Sequence, residues 1–431
     1  MRIHKPFQSM KSYLAMFTLL PCSFFSHAKT LPSIDQQLTK VGSLRVATFN
    51  VSMEGNNYKP AEDAPVSTEL LVQALEQGNH PQIKNIAEII QRVRPDIILM
   101  NEFDYIADQQ KGVQAFIHRY LNIAQHQDVE SIHYPYFYVA PVNTGVATQY
   151  SGPGNFEKNH GFGLYEGQYG MVLLSKYPIL HDKVRTFRNF LWKDMPNAKL
   201  PIDPQTDKLW YNEEFLNIFR LSSKSHWDVP IDVAGKTLHI LASHPTPPVF
   251  DGEEDKNGTR NHDEIRFWAD YISPQKAGYI YDDVGNKGGL APNTPFMILG
   301  DQNASPNEGD SISGAINQLS EHTLVQSKNP PMSRGGVENK KDNPNAKSHT
   351  ASWGLRVDYV LPSKTGFAMK HSGVFWPEST HKLSRLTQER GSSSDHKLVW
   401  VDVDMESPKD NSGSLDGLWA LLLSVLVRFR R

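Results

Sequence analysis

Short apolar runs that close on polar residues recur between residues 44 and 403, and most are too short to be helices. Residues 44–51 alternate and are rich in β-branched side chains, which predicts a first strand. Residues 96–100 are apolar after their first position and predict a buried central strand, and residues 170–175 a third. Residues 231–233 and 237–243 flank Ala234-Gly235-Lys236, a hairpin pattern. Residues 296–299, 356–361 and 397–403 complete the set.

Helical spacing lies between these runs. Residues 82–93 place Ile83, Ile86, Ile89, Ile90 and Val93 on one face, and Pro95 ends the pattern. Residues 114–121 and 263–272 show the same period. Strands and helices interspersed this way, with hairpins as well as crossovers, predict a mixed-sheet α/β sandwich forming one domain over residues 42–405. Three stretches (143–168, 187–227 and 328–352) are long, irregular and rich in Gly, Pro, Asn and aromatics. Loops of that length inside a domain are commonly functional.

The ends carry different patterns. Arg2, Lys5 and Lys11 precede an apolar run over residues 13–25, and Ser26-His27-Ala28 follows. That order predicts an export signal over residues 1–28. The one cysteine, Cys22, falls inside it, so cleavage after Ala28 leaves no disulfide, thiolate metal site or cysteine nucleophile. Residues 406–431 are expected to be a linker and tail. There Ser412-Gly413-Ser414 is followed by an apolar run over 418–427 and then Arg428, Arg430 and Arg431. The run is short for a membrane span, which needs about 20 residues. This order resembles the C-terminal sorting tails of Gram-negative bacteria that a rhomboid-type protease cuts, as in the GlyGly-CTERM class. The expected location is therefore the cell surface, the outer membrane or the medium. Losing three basic residues with the signal moves the formal net charge from −3 to −6, so no broad positive surface for polyanions is expected. With 39% hydrophobic residues the chain can still build a large core.

Polar residues gather at the ends of the predicted strands, where an α/β fold presents side chains to a shared rim. Asn50 ends the first strand, Glu102 follows the second, and His244 follows 237–243. Asp301 and Asn303 stand in Gly300-Asp301-Gln302-Asn303, Asp358 in Arg356-Val357-Asp358-Tyr359, and Asp395-His396 precedes the last strand. Oxygen ligands such as Glu102 suit Mg²⁺ or Mn²⁺, with Ca²⁺ as a further candidate. A metal polarises a phosphoryl oxygen, a histidine paired with a carboxylate takes a proton from water, and neutral donors hold developing charge.

In this order the set resembles the endonuclease/exonuclease/phosphatase superfamily, over about residues 44–403. The resemblance implies a four-layer α/β sandwich of the DNase I-like type, two packed mixed β-sheets flanked by helices, with a metal cleft at the rim. It implies Glu102 as principal metal ligand, with Asn50 and Asp395 beside it. His396 is implied as general base held by Asp358. Asp301 would position the nucleophile or handle the leaving-group proton, and Asn303 and His244 would bind the reacting phosphate. Ser52 replaces the Asp that AP endonucleases carry two residues after the Asn. Gln168 falls where those enzymes have a phosphate-contacting Tyr, with Tyr169 one residue on, so either is a candidate to line the cleft. Arg260, Asn261 and His262 are expected to precede a helix, where Arg260 and His262 are candidates for phosphate recognition and Asn261 or Asp263 for capping.

The function this implies is metal-assisted hydrolysis of a phosphoester by water, outside the cytoplasm, in a monomer. The substrate is a nucleic acid or a small phosphorylated molecule, with a nuclease or phosphodiesterase favoured. A phosphomonoesterase or sphingomyelinase-like lipase is the second reading, and a non-catalytic surface binding protein is the contrasting class. A sorting protease acting on the tail is the expected partner.

Overall fold

A computed structural model describes residues 31–406. The predicted export segment with Cys22 and the apolar, basic tail lie outside the described residues.

Alternation along the strands sorts their side chains into opposite faces, and this organises the molecule. The first sheet contains β1 (Leu44–Met53), β2 (Ile97–Phe103), β3 (Tyr136–Tyr138), β4 (Met171–Ser175), β12 (Phe367–Val374) and β13 (Val399–Met405), in the order β12-β13-β1-β2-β4-β3. The second contains β5 (Arg185–Thr186), β8 (His226–Val233), β9 (Lys236–Ser243), β10 (Phe296–Asp301) and β11 (Asp358–Pro362), in the order β11-β10-β9-β8-β5. A small ribbon pairs β6 (Ile202–Asp203) with β7 (Lys208–Leu209). Both large sheets are mixed: β1 and β2 run parallel, as do β9 and β10, and the other pairs are antiparallel.

Val46, Leu99 and Leu173 of the first sheet share one apolar cluster with Val229, Ile240 and Met297 of the second. Their neighbours in sequence point the other way. Ala47, Ile98 and Met100 pack under α2 (Thr68–Gln77) and α3 (Pro81–Val93), while Leu241 and Ile298 pack under α6 (Lys256–Tyr271). Helix, sheet, sheet and helix therefore stack in four layers, the arrangement expected above.

Local chemistry explains α3. Pro81 opens it, the isoleucine face is buried, and Arg94 closes it in the left-handed region at φ 54°. Truncating Ile86 there would cost about 2–5 kcal/mol. The pattern reading omits α2, although Gly78 at φ 68° supplies its stop. It also omits β3 and β12, short or half-exposed strands that exist through long-range pairing with β4 and β13. The period read at 114–121 is a short helix, Val113–Phe116, that continues as a π-turn over Ile117–Leu121.

Candidate active site

The two parallel pairs send the C-terminal ends of β1, β2, β9 and β10 to one rim, so Asn50, Glu102, His244 and Asp301 converge from two sheets. Asn101 stitches that rim: its Oδ1 accepts from the Asp301 amide at 3.1 Å and its Nδ2 donates to the Ser243 carbonyl at 3.4 Å. Gly300 permits the approach, because a Cβ there would lie 2.0 Å from the Ser243 oxygen and φ is 138°.

The backbone departs from regular strand where the site begins. The β1–β2 register shifts between Asn50 and Met53. Ser52, Glu102, Tyr169 and Asn303 all have positive φ, at 46°, 56°, 57° and 51°. Positive φ is uncommon for such residues and costs of order 1–3 kcal/mol, so its recurrence here marks a constrained site. It turns Glu102 out of the strand alternation, and Glu102 lines the cleft.

On one wall the groups are closely partnered. His396 Nδ1 lies 3.0 Å from Asp358 Oδ2, and its Nε2 lies 3.6 Å from Asp301 Oδ2. Asn50 Nδ2 donates to Asp301 Oδ2 at 3.1 Å, His244 Nε2 lies 3.4 Å from the same oxygen, and the Asn303 amide donates to Asp301 Oδ1 at 2.9 Å. Burial alone would lower the His396 pKa, but the Asp358 and Asp301 carboxylates raise it to about 10. Burial would raise Asp301, yet His396 and His244 hold it below the ordinary carboxylate range. Burial lifts Asp358 to about 6 against the pull of His396, so at neutral pH the pair is imidazolium and carboxylate. Burial, then Lys224, lowers the His244 pKa and keeps that ring neutral.

The other wall is acidic and poorly compensated. Among the described residues Glu102 makes no side-chain hydrogen bond or ion pair. Glu54 is 1% exposed, and one of its oxygens, Oε2, is buried without a partner. Burial and then Glu102 raise Glu54's pKa well above its ordinary value. Burial pushes Asp104 to about 7 despite hydrogen bonds from Tyr165, Gly55 and Tyr169. Arg390 reaches Glu54 at 3.4 Å and Asp395 at 3.7 Å. The Asp395 Oδ1 also accepts from Ser52 Oγ at 3.2 Å.

Glu102, His244 and Asp301 can bring ligand atoms within 4.8 Å of one another. Two carboxylates and an imidazole nitrogen, beside an unpartnered buried carboxylate oxygen, fit a divalent cation.

These walls bound a cleft of about 1060 Å³. Its outer lining includes Phe156, Phe162, Phe250 and Trp353, all well exposed. Trp353 stands edge-on to His396 at 4.9 Å between ring centres.

The structure brings Asn50, Glu102, His244, Asp301, Asn303, Asp358, Asp395 and His396 together, and Tyr169 lines the same cleft. Three candidates fall elsewhere or face another task. Gln168 is fully buried behind the loop, its Oε1 accepting from the Leu164 amide at 2.7 Å. The helix expected to start near residue 263 starts at Lys256, after Asp255 in the N-cap position, so Arg260 and His262 lie inside it and neither Asn261 nor Asp263 caps it. Arg260 borders the cleft, but its guanidinium donates to the Leu221, His160 and Arg220 carbonyls and stacks over Phe219. His262 sits against Asp263, outside the cleft lining. Asn261, Asp263 and Glu264 brace the surrounding loops instead; Glu264 accepts from the Ser223 and Thr246 amides, each at 2.6 Å. The sequence reading missed Glu54, Lys224, Trp353 and Arg390, which lie in loops or irregular stretches where no period says which way a side chain faces.

The family model described as the endonuclease/exonuclease/phosphatase family matches residues 47–396. No curated protein matches the chain. Among solved structures, an endonuclease/exonuclease/phosphatase from Beutenbergia cavernae DSM 12333 is 15% identical, with TM-score 0.43, covering 84% of this chain and 72% of that one. Sphingomyelinase C from Streptomyces griseocarneus is 14% identical, with TM-score 0.42, covering 84% and 99%. The human nocturnin catalytic domain with bound sulfate is 13% identical, with TM-score 0.41, covering 85% and 97%. No residue role follows from likenesses this distant.

Proposed function

The chain belongs to the endonuclease/exonuclease/phosphatase family and is a phosphoester-hydrolysing enzyme, and from that premise we propose a divalent-metal-dependent phosphodiesterase that acts outside the cytoplasm. One observation carries the reading: the His396–Asp358–Asp301–Asn50 network faces the partnerless Glu102 carboxylate across a single cleft. A cleft of about 1060 Å³ with an apolar outer wall supports a diester with bulky organic arms over a small monoester.

Glu102, with Asp395 and Asn50 or with His244 and Asp301, would hold the cation. When bound, it would polarise a phosphoryl oxygen and offset the carboxylate charge that keeps His396 protonated. Asp358 fixes the imidazole through Nδ1, leaving Nε2 to take the proton from attacking water. Asp301, gripped by Asn50, His244 and the Asn303 amide, orients that water. Asn50, through the second hydrogen of its amide, donates toward the phosphoryl oxygens as charge develops.

Exposed Phe162 and Phe250 at the cleft mouth favour a second reading, a lipid phosphodiester, over a nucleic acid. A panel of plasmid DNA, RNA, bis-p-nitrophenyl phosphate, p-nitrophenyl phosphate, inositol phosphates and sphingomyelin with Mg²⁺, Mn²⁺ or EDTA separates these. Diester cleavage that EDTA abolishes is expected; monoester cleavage alone, or activity indifferent to EDTA, would sink the proposal. Export is supported by the basic, apolar and small-residue order of residues 1–28, and a secreted chain should begin at Lys29. A chain retained in the cytoplasm with residues 1–28 intact would refute export.

A further inference from the structure

Buried polar groups normally find partners, so several unpartnered ones in a single corner need an explanation. Around His244, four neighbouring side chains, His244 among them, present unpartnered or barely partnered groups. Lys224 is 5% exposed, makes no ion pair within 4 Å among the described residues, and gives its ammonium one long bond, 3.4 Å to the Pro245 carbonyl. An ammonium has three donors, and a buried one is costly unless compensated. Ser223 Oγ, Thr246 Oγ1 and His244 Nδ1 are also buried without partners. The fold holds them close, because one carboxylate, Glu264, accepts from the backbone amides of both Ser223 and Thr246. All four residues line the cleft that contains Glu102, Asp301 and His396.

We propose that Ser223, Lys224 and Thr246, beside His244, form an oxyanion pocket that receives the non-bridging oxygens of the substrate phosphoryl group, with the Lys224 side chain as its central donor. Two hydroxyls and an ammonium are donors without a task in the folded chain, and a tetrahedral oxyanion offers the matching acceptors. Glu264 lies near enough to moderate the ammonium's charge but does not take up its donors. Lys224 thus faces the phosphate from beside His244, in the cleft that also holds Glu102 and Asp301.

This assignment deepens the phosphodiesterase reading and rests on it, so its test reads binding rather than turnover. Inorganic phosphate is titrated calorimetrically into the full chain, in EDTA and again with Mg²⁺. Lys224→Met should weaken phosphate binding by about tenfold or more, Lys224→Arg should retain most of it, and Ser223→Ala and Thr246→Val should each weaken it severalfold. Should Lys224→Met fail to fold, acetylation of the wild-type chain followed by peptide mass spectrometry takes its place, with phosphate expected to protect Lys224. A wild-type chain that binds no phosphate in either condition overturns the pocket. So do Met and Ala variants with wild-type affinity, or acetylation of Lys224 indifferent to phosphate. Absence of hydrolytic activity in a chain that binds phosphate in this pattern would count against the phosphodiesterase reading alone.

Discussion

The two ends of β1 both bury charge, and they treat it in opposite ways. At the start of the strand, Arg45 is 1% exposed and fully occupied: Nε and Nη2 donate to Asp402 at 2.6 and 2.7 Å, and Nη1 donates to the Leu38 and Val93 carbonyls. Asp96 beside it accepts from the Arg45 amide, Lys40 and Lys176. At the other end, past Asn50, lie a partnerless Glu102, a buried Glu54 oxygen and an ammonium with one weak acceptor. Buried charge alone does not mark a functional site. Charge left uncompensated does, because folding keeps it only where something else completes it.

The sharpest test of this contrast lies at the rim. His396→Ala should lower kcat by about 10²–10⁴-fold, the usual worth of a positioned acid–base group, while far-ultraviolet circular dichroism stays unchanged. Glu102→Gln should abolish Mn²⁺ binding by calorimetry and leave the melting temperature in EDTA unchanged or higher, since it removes an uncompensated carboxylate. A Glu102→Gln chain that binds Mn²⁺ normally would break the comparison.

At the closed end the outcome should invert. Arg45→Met strands Asp402 without its partner, at a cost of about 3–5 kcal/mol. Thermal melts should fall by roughly 5 °C, with kcat of the surviving folded enzyme unchanged. Loss of activity without loss of stability would contradict a purely structural Arg45.

A smaller effect separates the ends by pH. His396 has its pKa raised from 6.5 to about 10 in the folded chain, so its pairing stabilises fully below about pH 6.5 and that contribution is lost as pH rises through about 10. In EDTA, the melting-temperature gap between wild type and Asp358→Asn should be widest near pH 6.5 and close toward pH 10. By proton NMR, the His396 ring should titrate far above pH 7 in the wild type and lower in the variant. A wild-type ring titrating near 6.5 would remove the pair's charged state. The smallest change is expected from Phe250→Ala at the mouth: within about 0.5 kcal/mol in stability, with KM raised for bulky diesters and kcat retained. An unchanged KM for every diester would leave the aromatic rim without a role in binding.

Much of this was legible in the residues. Alternation in β1 and the apolar runs of β2, β9 and β10 marked the central strands, and Asn50, Glu102, His244, Asp301, Asp358 and His396 were singled out because each stands at or beside the end of such a run. Arg260 and His262 went astray because the residues before 263 lack the apolar period of a surface helix. The first half of α6 buries Arg260, Asn261, Asp263 and Glu264 as braces for loops, so its inner face is polar. Lys224 and Ser223 were invisible for a related reason: they sit in an irregular stretch, and nothing local says that such a segment is buried.

The sequence by itself determined which side chains alternate, where apolar runs stop and which chemistry stands at their ends, because these depend on neighbours one to four residues apart. Only the tertiary structure decided which buried polar groups find partners. That depends on atoms brought together across long separations, as when Asn101 reaches Asp301, His396 reaches Asp358, and Lys224 is left facing the cleft with its donors unspent.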